Sequence, residues 1–477
     1  MTTKPHLDKS TLGARWLAPY ACVFGIFLGV CLWKFGNPVI LDKQVIPPKT
    51  FAEALEISWP VGWGNWILGV LGVFGLLMVR PSVAIARTKA PLWLVMMPLV
   101  WLAWQLVSAS RSVDPVLTQV TLPQLIGTVV CFFIGWFVLT QDGWPKLLLP
   151  GLLASFAFSM VRGANQHHFE FRRDYEILRE GQATGWTNFS PEVLTSLKQG
   201  QLVVSTNGVD IANPMILEKL RRGRVHGTLV YPNAFAGAIL LLLPMSLAVV
   251  FTGTGTLRPW LRRSVIGLTL GLGIGCLYWT GSKSGWLIGL GVASIGMLLR
   301  APWSRRWKWG FTLGVAVGGL ILFTWRFESY FSAGATSVSA RLDYWRAAVQ
   351  VVRENPLFGT GPGTFQRPYA RLKTPEAEMA RLAHNDYLQQ YSDSGWPGGL
   401  AYLAWIIGSL SIACRKPKDP LIFGLFLGVL GWFAQGLSEF GLYIPALAWC
   451  AFTLLGVLLG LPTSAKLSGT DDAFQPS

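Results

Sequence analysis

Residues 91–108 read PLWLVMMPLVWLAWQLVS, with no charged side chain anywhere in the run. A helix needs about 20 mostly apolar residues to cross a hydrocarbon layer ~30 Å thick. Backbone polar groups find no water there, so such a stretch must pair them internally as a helix. The same pattern recurs outward from this segment at 17–33, 60–79, 119–140, 146–161, 232–251, 264–280, 284–299, 309–325, 396–413, 420–437 and 443–461. The fold this implies is all-α: a polytopic integral membrane protein of about 12 transmembrane helices. Ionisable groups inside a membrane mark ion paths and proton relays. The interiors of these stretches hold none, so the chemistry is expected in the loops.

Composition points the same way. Apolar residues make up 52% and charged residues only 13%, against about 25% charged in soluble domains. The 23 Trp suit the interfacial belts where indole rings settle. With the N-terminus (Lys4, Lys9, Arg15) inside, alternate short loops carry Arg80/Arg87/Lys89, Arg258/Arg262/Arg263, Arg300/Arg305/Arg306/Lys308 and Arg415/Lys416/Lys418. The opposite short loops are poor in Lys and Arg, apart from Lys34, Lys43 and Lys49. This is the positive-inside asymmetry, and it places both termini in the cytoplasm. It also accounts for most of the net charge of +16, so the basic balance does not call for nucleic acid. No small-residue cleavage site follows Trp33, which makes the first apolar run an anchor rather than a signal peptide. The six cysteines (Cys22, Cys31, Cys131, Cys276, Cys414, Cys450) fall in or beside spans, where they act as small apolar groups.

The organisation expected is helices 1–5 in 1–161, a long loop 162–231, helices 6–9 in 232–325, a large loop 326–395, helices 10–12 in 396–461 and a cytoplasmic tail 462–477. The orientation puts both long loops on the outer face, and connections this long are usually functional or disordered. In the first, 201–206 is strand-like, and the loop ends in the basic run Arg221-Arg-Gly-Arg224. In the second, RLDYWRAAVQVVR (341–353) sets Leu342, Trp345, Val349 and Val352 on one helical face. That helix should stop at Asn355-Pro356. A second helix is expected from Thr374-Pro375, through His384, to near Gly395. The Gly359-Thr-Gly-Pro-Gly-Thr run between them follows no strand and is broken by Pro362, so it reads as a turn rather than a nucleotide loop.

An arginine cluster on the outer side is not called for by topology; guanidinium forks there suit phosphate or pyrophosphate. Three places in the chain are similar to one family. They are Arg224-Val-His-Gly227…Tyr-Pro-Asn233, Thr280-Gly-Ser-Lys-Ser-Gly285, and Arg341…Trp345…Asn355-Pro356…Gly359-x-Gly361…His384-Asn385 followed by Gly395-Trp-Pro-Gly398. Nine residues separate Asn385 from Gly395. In these the chain resembles the O-antigen ligase/O-antigen polymerase superfamily of bacterial envelope glycosyltransferases. It departs at Lys283, where many members have Arg; the charge is kept and the bidentate fork is lost.

The resemblance implies transfer of a glycan from a polyprenyl (undecaprenyl) pyrophosphate carrier to an outer-face acceptor. That acceptor is a lipid A core for a ligase or the growing glycan for a polymerase, with a protein acceptor also open, and the reaction lies at the periplasmic face of the inner membrane. The residue chemistry fits. Histidine has a neutral form available near pH 7, which suits His384 as base for the acceptor hydroxyl. Arg224, Lys283 and Arg341 would bind the donor pyrophosphate and stabilise its departure, with Asn233, Asn385, Gly395 and Gly398 in support. No cluster has metal-ligand spacing, so a metal-independent enzyme without cofactor is expected. His226 reads as a bystander and His167-His168 as solvated loop residues. The Gly-x-x-Gly spacing favours ligase over polymerase. A small-anion transporter is the competing class, disfavoured by the charge-free spans; Gly-rich runs such as 264–275 read as close helix packing.

Overall fold

The computed structural model describes residues 9–78, 91–140, 143–300, 302–326, 328, 336–415 and 419–461. The basic residues Lys4, Arg80, Arg87, Lys89, Lys416 and Lys418 and the tail 462–477 lie outside the described residues. The helices are α1 (Lys9–Lys34), α2 (Phe51–Glu56), α3 (Val61–Met78), α4 (Leu92–Ala109), α5 (Pro115–Phe133), α6 (Trp144–Asn165), α7 (Phe171–Ala183), α8 (Pro191–Gln199) and α9 (Pro214–Arg222). After them come α10 (Pro232–Gly253), α11 (Pro259–Thr280), α12 (Lys283–Arg300), α13 (Arg305–Arg326), α14 (Thr336–Glu354), α15 (Gln366–Leu372), α16 (Asp386–Ala413), α17 (Pro420–Gln435) and α18 (Pro445–Gly460). Proline opens α5, α10, α11, α17 and α18, where its missing N–H costs nothing.

All twelve expected spans fall on helices. Among the described residues nine helices are long and apolar enough to cross a membrane, and α17 and α18 are shorter apolar ones. The chain is an all-α multi-pass membrane protein. Its close crossings are built on small residues, as is usual where lipid removes the hydrophobic drive between helices. Gly25 of α1 lies so near α6 that a Cβ would sit 2.1 Å from the Leu148 carbonyl oxygen. Gly428 of α17 would meet Leu241 O of α10 at 2.0 Å, and Gly456 of α18 would meet Phe132 O of α5 at 2.1 Å. The Gly-rich 264–275 run does not behave as its sequence suggests. Gly267 and Gly271 face open space, and only Gly273 is crowded, by Leu243.

The segment 162–231 is ordered by local signals. A π-helical turn, Gln166–Glu170, carries α6 into α7. An Asn207-Gly208 turn with both φ positive joins strands β1 (Val203–Thr206) and β2 (Val209–Ala212) as a hairpin, Val203 opposite Ala212. Leu178, Trp186, Val203 and Ala212 form its small core. His167 and His168 are exposed, as expected, but lie in the π-helical turn rather than in a loop, with the His167 ring stacked on Trp279 at 4.6 Å.

In 336–395 the first helix ends before Asn355-Pro356, as the sequence predicts, but its buried face differs. Tyr344, Ala347, Ala348, Val351 and Val352 are buried, while Leu342 and Val349 are exposed. The second helix is a correction. Residues 373–385 are not helical, and α16 begins at Asp386 with Asn385 as its cap. The helix-favouring composition is overridden because Leu382 packs into the main core while Ala380 and Ala383 join Phe365 and Tyr369 in a second one. An extended strand of chain can serve two cores on opposite sides; one helical face cannot.

Chain connectivity gathers 34–60, 110–114, 166–231, 281–282, 336–395 and 436–444 at one end of the bundle. Hydrogen bonds knit them together: Trp59 N to Lys34 O (2.9 Å), Val113 N to Thr360 O (3.0 Å) and Asp386 N to Gly436 O (2.7 Å).

Candidate active site

Arg224 follows Gly223, whose left-handed conformation (φ 59°) ends α9. The backbone beyond it is gripped by the buried Gln166, whose Oε1 accepts from His226 N (3.1 Å) and Gly227 N (2.9 Å). Val225 N donates to Trp279 O (3.1 Å), pinning the loop to the end of α11. So held, Arg224 donates Nε to Thr280 O (2.7 Å) and Nη2 to Asn233 Oδ1 (2.8 Å). Burial lowers its pKa, and the like charges of Arg222 and Arg341 act the same way against the favourable Glu439.

The Thr280–Ser282 turn that Arg224 clamps leads directly into α12. Ser282 Oγ accepts from Gly285 N (3.3 Å), and Lys283 is the first residue of that helix. Lys283 therefore opens a helix N-terminus beside Arg224, where backbone N–H groups favour anions.

Asn233 lies in the first turn of α10, and its Nδ2 donates to Glu439 Oε1 (2.7 Å). Arg341, on α14, pairs with the same Glu439 oxygen through Nη2 and donates Nε to Ser438 O (3.1 Å). Glu439 thus links Asn233 to Arg341, and through Asn233 links Arg224. The sequence reading missed it. One signal was present: Glu439 is the one charged residue between Asp419 and Leu461.

His384 meets the same carboxylate. Its Nδ1 is buried without a hydrogen-bond partner and lies 3.6 Å from Glu439 Oε2, beyond bonding distance. The ring stacks on Tyr344 (5.6 Å) and meets Phe440 edge-on (4.7 Å). With Nδ1 turned inward and 30% of the side chain exposed, Nε2 is the nitrogen left for a substrate. His384 also has φ 48°, rare for a residue with a side chain. Two neighbours impose it. Asn385 caps α16 by accepting from Leu388 N (2.9 Å) and donates Nδ2 to Leu437 O (2.9 Å), while Ala383 N donates to Gln389 Oε1 (2.8 Å).

Gly395 and Gly398 lie along α16 away from the cluster, and a Cβ on Gly398 would meet Ser394 Oγ at 2.0 Å. Gly395 (φ 66°) and Ser394 break α16 where the 359–363 turn docks. Thr360 N and Gly361 N donate to the carbonyls of Ser392 and Asp393 (3.0 and 2.9 Å), and Gly363 N donates to Asp393 Oδ2 (2.9 Å). Trp396 N donates to Pro356 O (2.8 Å). The glycine motifs of the two segments therefore hold each other at the break in α16, the helix that Asn385 caps beside His384. His226 stands apart: its Nδ1 is bonded to Leu229 O (2.5 Å) and its pKa is lowered by burial. Among the described residues no group of three or more His, Cys, Asp or Glu could hold a metal ion.

Arg224, Asn233, Arg341 and His384 are thus brought together around Glu439, with Lys283 at the adjoining turn. Fold and site define a multi-pass membrane protein with a cationic cluster and a histidine at one end of its helix bundle. Residues 268–403 match the family model for O-antigen ligase, which supports membership of the O-antigen ligase superfamily and a membrane glycosyltransferase of the ligase or polymerase type. The match contains Lys283, Arg341, His384, Asn385, Gly395 and Gly398, and stops short of Arg224, Asn233 and Glu439. No curated protein matches the chain.

Proposed function

We propose that this protein is an O-antigen ligase: it moves a glycan from a polyprenyl-pyrophosphate carrier to a lipid A core at the periplasmic face of the inner membrane. The observation that carries the reading is the meeting of Arg224 and Arg341 with His384 through Asn233 and Glu439. In this scheme His384 Nε2 takes the proton of the acceptor hydroxyl. The acceptor oxygen bonds the anomeric carbon, and the bond from that carbon to the carrier's phosphate oxygen breaks. Arg224, Arg341, Lys283 and the start of α12 stabilise the charge left on the pyrophosphate. The cations do this work without a divalent ion.

An apolar groove of about 750 Å³ supports the lipid side of the reading. It lies between α10, α11, α12 and α17, and its lining includes Leu277 and Trp286, one turn from Thr280 and Lys283 respectively. A polyprenyl chain in that groove would keep its pyrophosphate at the cationic cluster. The Gly395-x-x-Gly398 spacing after His384-Asn385 favours the ligase over the polymerase.

The test is reconstitution in liposomes with a lipid-linked glycan and lipid A core. The expected result is transfer to lipid A core that survives EDTA and falls about 10²–10⁴-fold in His384→Ala, with donor binding retained. Elongation of the glycan in place of transfer to lipid A core would make the protein a polymerase. Near-normal transfer by His384→Ala would remove the base, and a strict need for a divalent ion would remove the metal-free scheme.

A further inference from the structure

Glu439 serves two groups whose work is separate in the reaction. One oxygen holds Asn233 Nδ2 (2.7 Å) and Arg341 Nη2; the other faces His384 Nδ1 across 3.6 Å. The carboxylate is 9% exposed, so water does little to compete for it. Without donor, the guanidinium of Arg341 occupies Glu439 while Nδ1 of His384 lacks a bond. A buried polar atom without a partner is costly, and here the nearest acceptor, Glu439 Oε2, stands 3.6 Å off while Arg341 and Asn233 hold the carboxylate through Oε1.

We infer that Glu439 is a positioning residue that couples the base to donor occupancy: pyrophosphate draws Arg341 away, and the freed carboxylate closes on His384 Nδ1. This rests on the transferase reading above. The hydrogen bond holds the ring proton on Nδ1 and leaves the lone pair on Nε2, as a carboxylate does for the histidine of a Ser-His-Asp triad. When the acceptor hydroxyl gives its proton to Nε2, the imidazolium sits against a carboxylate no longer neutralised by Arg341. The proton then leaves to solvent, the carrier departs with the electron pair of the broken bond, and Arg341 returns to Glu439. The base is fully oriented only when a donor is bound.

The arrangement also explains why one carboxylate stands among cations that must bind a phosphate. A permanent counter-ion would weaken donor binding. One that changes partners gives Arg341 a place in the empty site and His384 a partner in the loaded one. Its position on the 436–444 connection suits this, because Ser438 O holds Arg341 Nε and Leu437 O holds Asn385 next to the base.

The experiment uses the full-length protein in lipid nanodiscs with ¹⁵N-labelled histidine and inorganic pyrophosphate as the probe. The His384 signal is assigned by its loss in His384→Ala. Pyrophosphate should move His384 to the neutral Nδ1–H, hydrogen-bonded form in the wild type and leave it unmoved in Glu439→Gln. In Arg341→Ala, which frees Glu439 permanently, that form should be present without pyrophosphate. In transfer assays Glu439→Gln should lower kcat by about 10²–10⁴-fold with donor KM little changed, and should add no further loss in the His384→Ala background. An imidazole signal indifferent to pyrophosphate in the wild type, or equally responsive in Glu439→Gln, overturns the coupling. A Glu439→Gln loss that adds in full to that of His384→Ala does the same. A wild-type protein with no transfer from lipid-linked donors overturns the transferase reading instead, and the imidazole response still decides the coupling.

Discussion

Replacing Gly395 with Ala tests whether the broken α16 helix sets the site. Gly395 has φ 66°, and a Cβ there would lie 2.4 Å from Pro356 O and 2.5 Å from the Leu357 carbonyl carbon. With ψ −168° the backbone lies in a region that essentially only glycine enters, and a residue with a side chain pays about 1–3 kcal/mol to adopt it. Forcing a methyl into filled space costs about 1–3 kcal/mol more, and the obstructing atoms are backbone, with no rotamer to yield. The change should therefore cost about 2–6 kcal/mol by these two terms. Part of that would be relieved by moving 356–363 away from 392–396, which is expected to shift the start of α16, where Asn385 caps the helix beside His384. A displacement of about 1 Å at a reacting group lowers rate by about 10²-fold. The assay pairs heat-induced loss of the monodisperse peak in detergent with transfer in liposomes. Gly271→Ala is the control, since nothing lies within 4 Å of its Cβ. Gly395→Ala should melt several degrees lower and transfer far less, while Gly271→Ala matches the wild type. A Gly395→Ala protein with wild-type melting and transfer would refute the argument that the glycine contact positions His384.

Arg224→Lys should bind donor nearly as poorly as Arg224→Ala in a lipid-linked donor titration, because one ammonium cannot hold both Thr280 O and Asn233 Oδ1 while facing a phosphate. A cysteine at Gln199, with Cys22 and Cys414 replaced by Ser, should react with an impermeant thiol reagent in intact spheroplasts. Labelling only after lysis would invert the orientation and remove the periplasmic site with it. His226 has a pKa lowered by burial, so the unfolded chain binds a proton that the folded one resists. Its stabilising contribution is full above about pH 6.5, the ordinary histidine value, and is lost as pH falls through the lower folded pKa. Melting temperature should drop between pH 7 and pH 5, and the drop should be smaller in His226→Gln; an identical drop would show that His226 does not report acid sensitivity.

Much of the fold was legible because a bilayer imposes one rule on every residue it touches. An apolar run long enough to span must be a helix, so all twelve runs lie on helices, although α1 and α16 begin at Lys9 and Asp386, well before the apolar runs at 17 and 396. The stop at Asn355-Pro356 was equally local, and of the hairpin only the strand-like 201–206 showed in the sequence reading. The expected helix through 374–395 holds from Asp386 and fails over 374–385 for a non-local reason. Leu382 and Ala383 are pulled into different cores, and Asn385 takes the cap, which forces His384 into a positive φ. Likewise helical periodicity could not tell which side of α14 meets protein and which faces outward.

The sequence by itself determined which residue types were available: arginines at 224 and 341, a lysine at 283 and a histidine at 384, each on a segment between apolar runs. Their meeting was decided by tertiary structure alone. Arg224 and Arg341 are far apart in the chain, and the group that joins them, Glu439, sits on a short connection that no motif marks. Its role arises because α10, α14, α16 and α17 end at the same height, so Asn233, Arg341, His384 and the 436–444 turn share one small volume. A charge there is tolerated because Asn233 and Arg341 both bond it, and partners contributed by separate helices leave no periodic trace in a sequence.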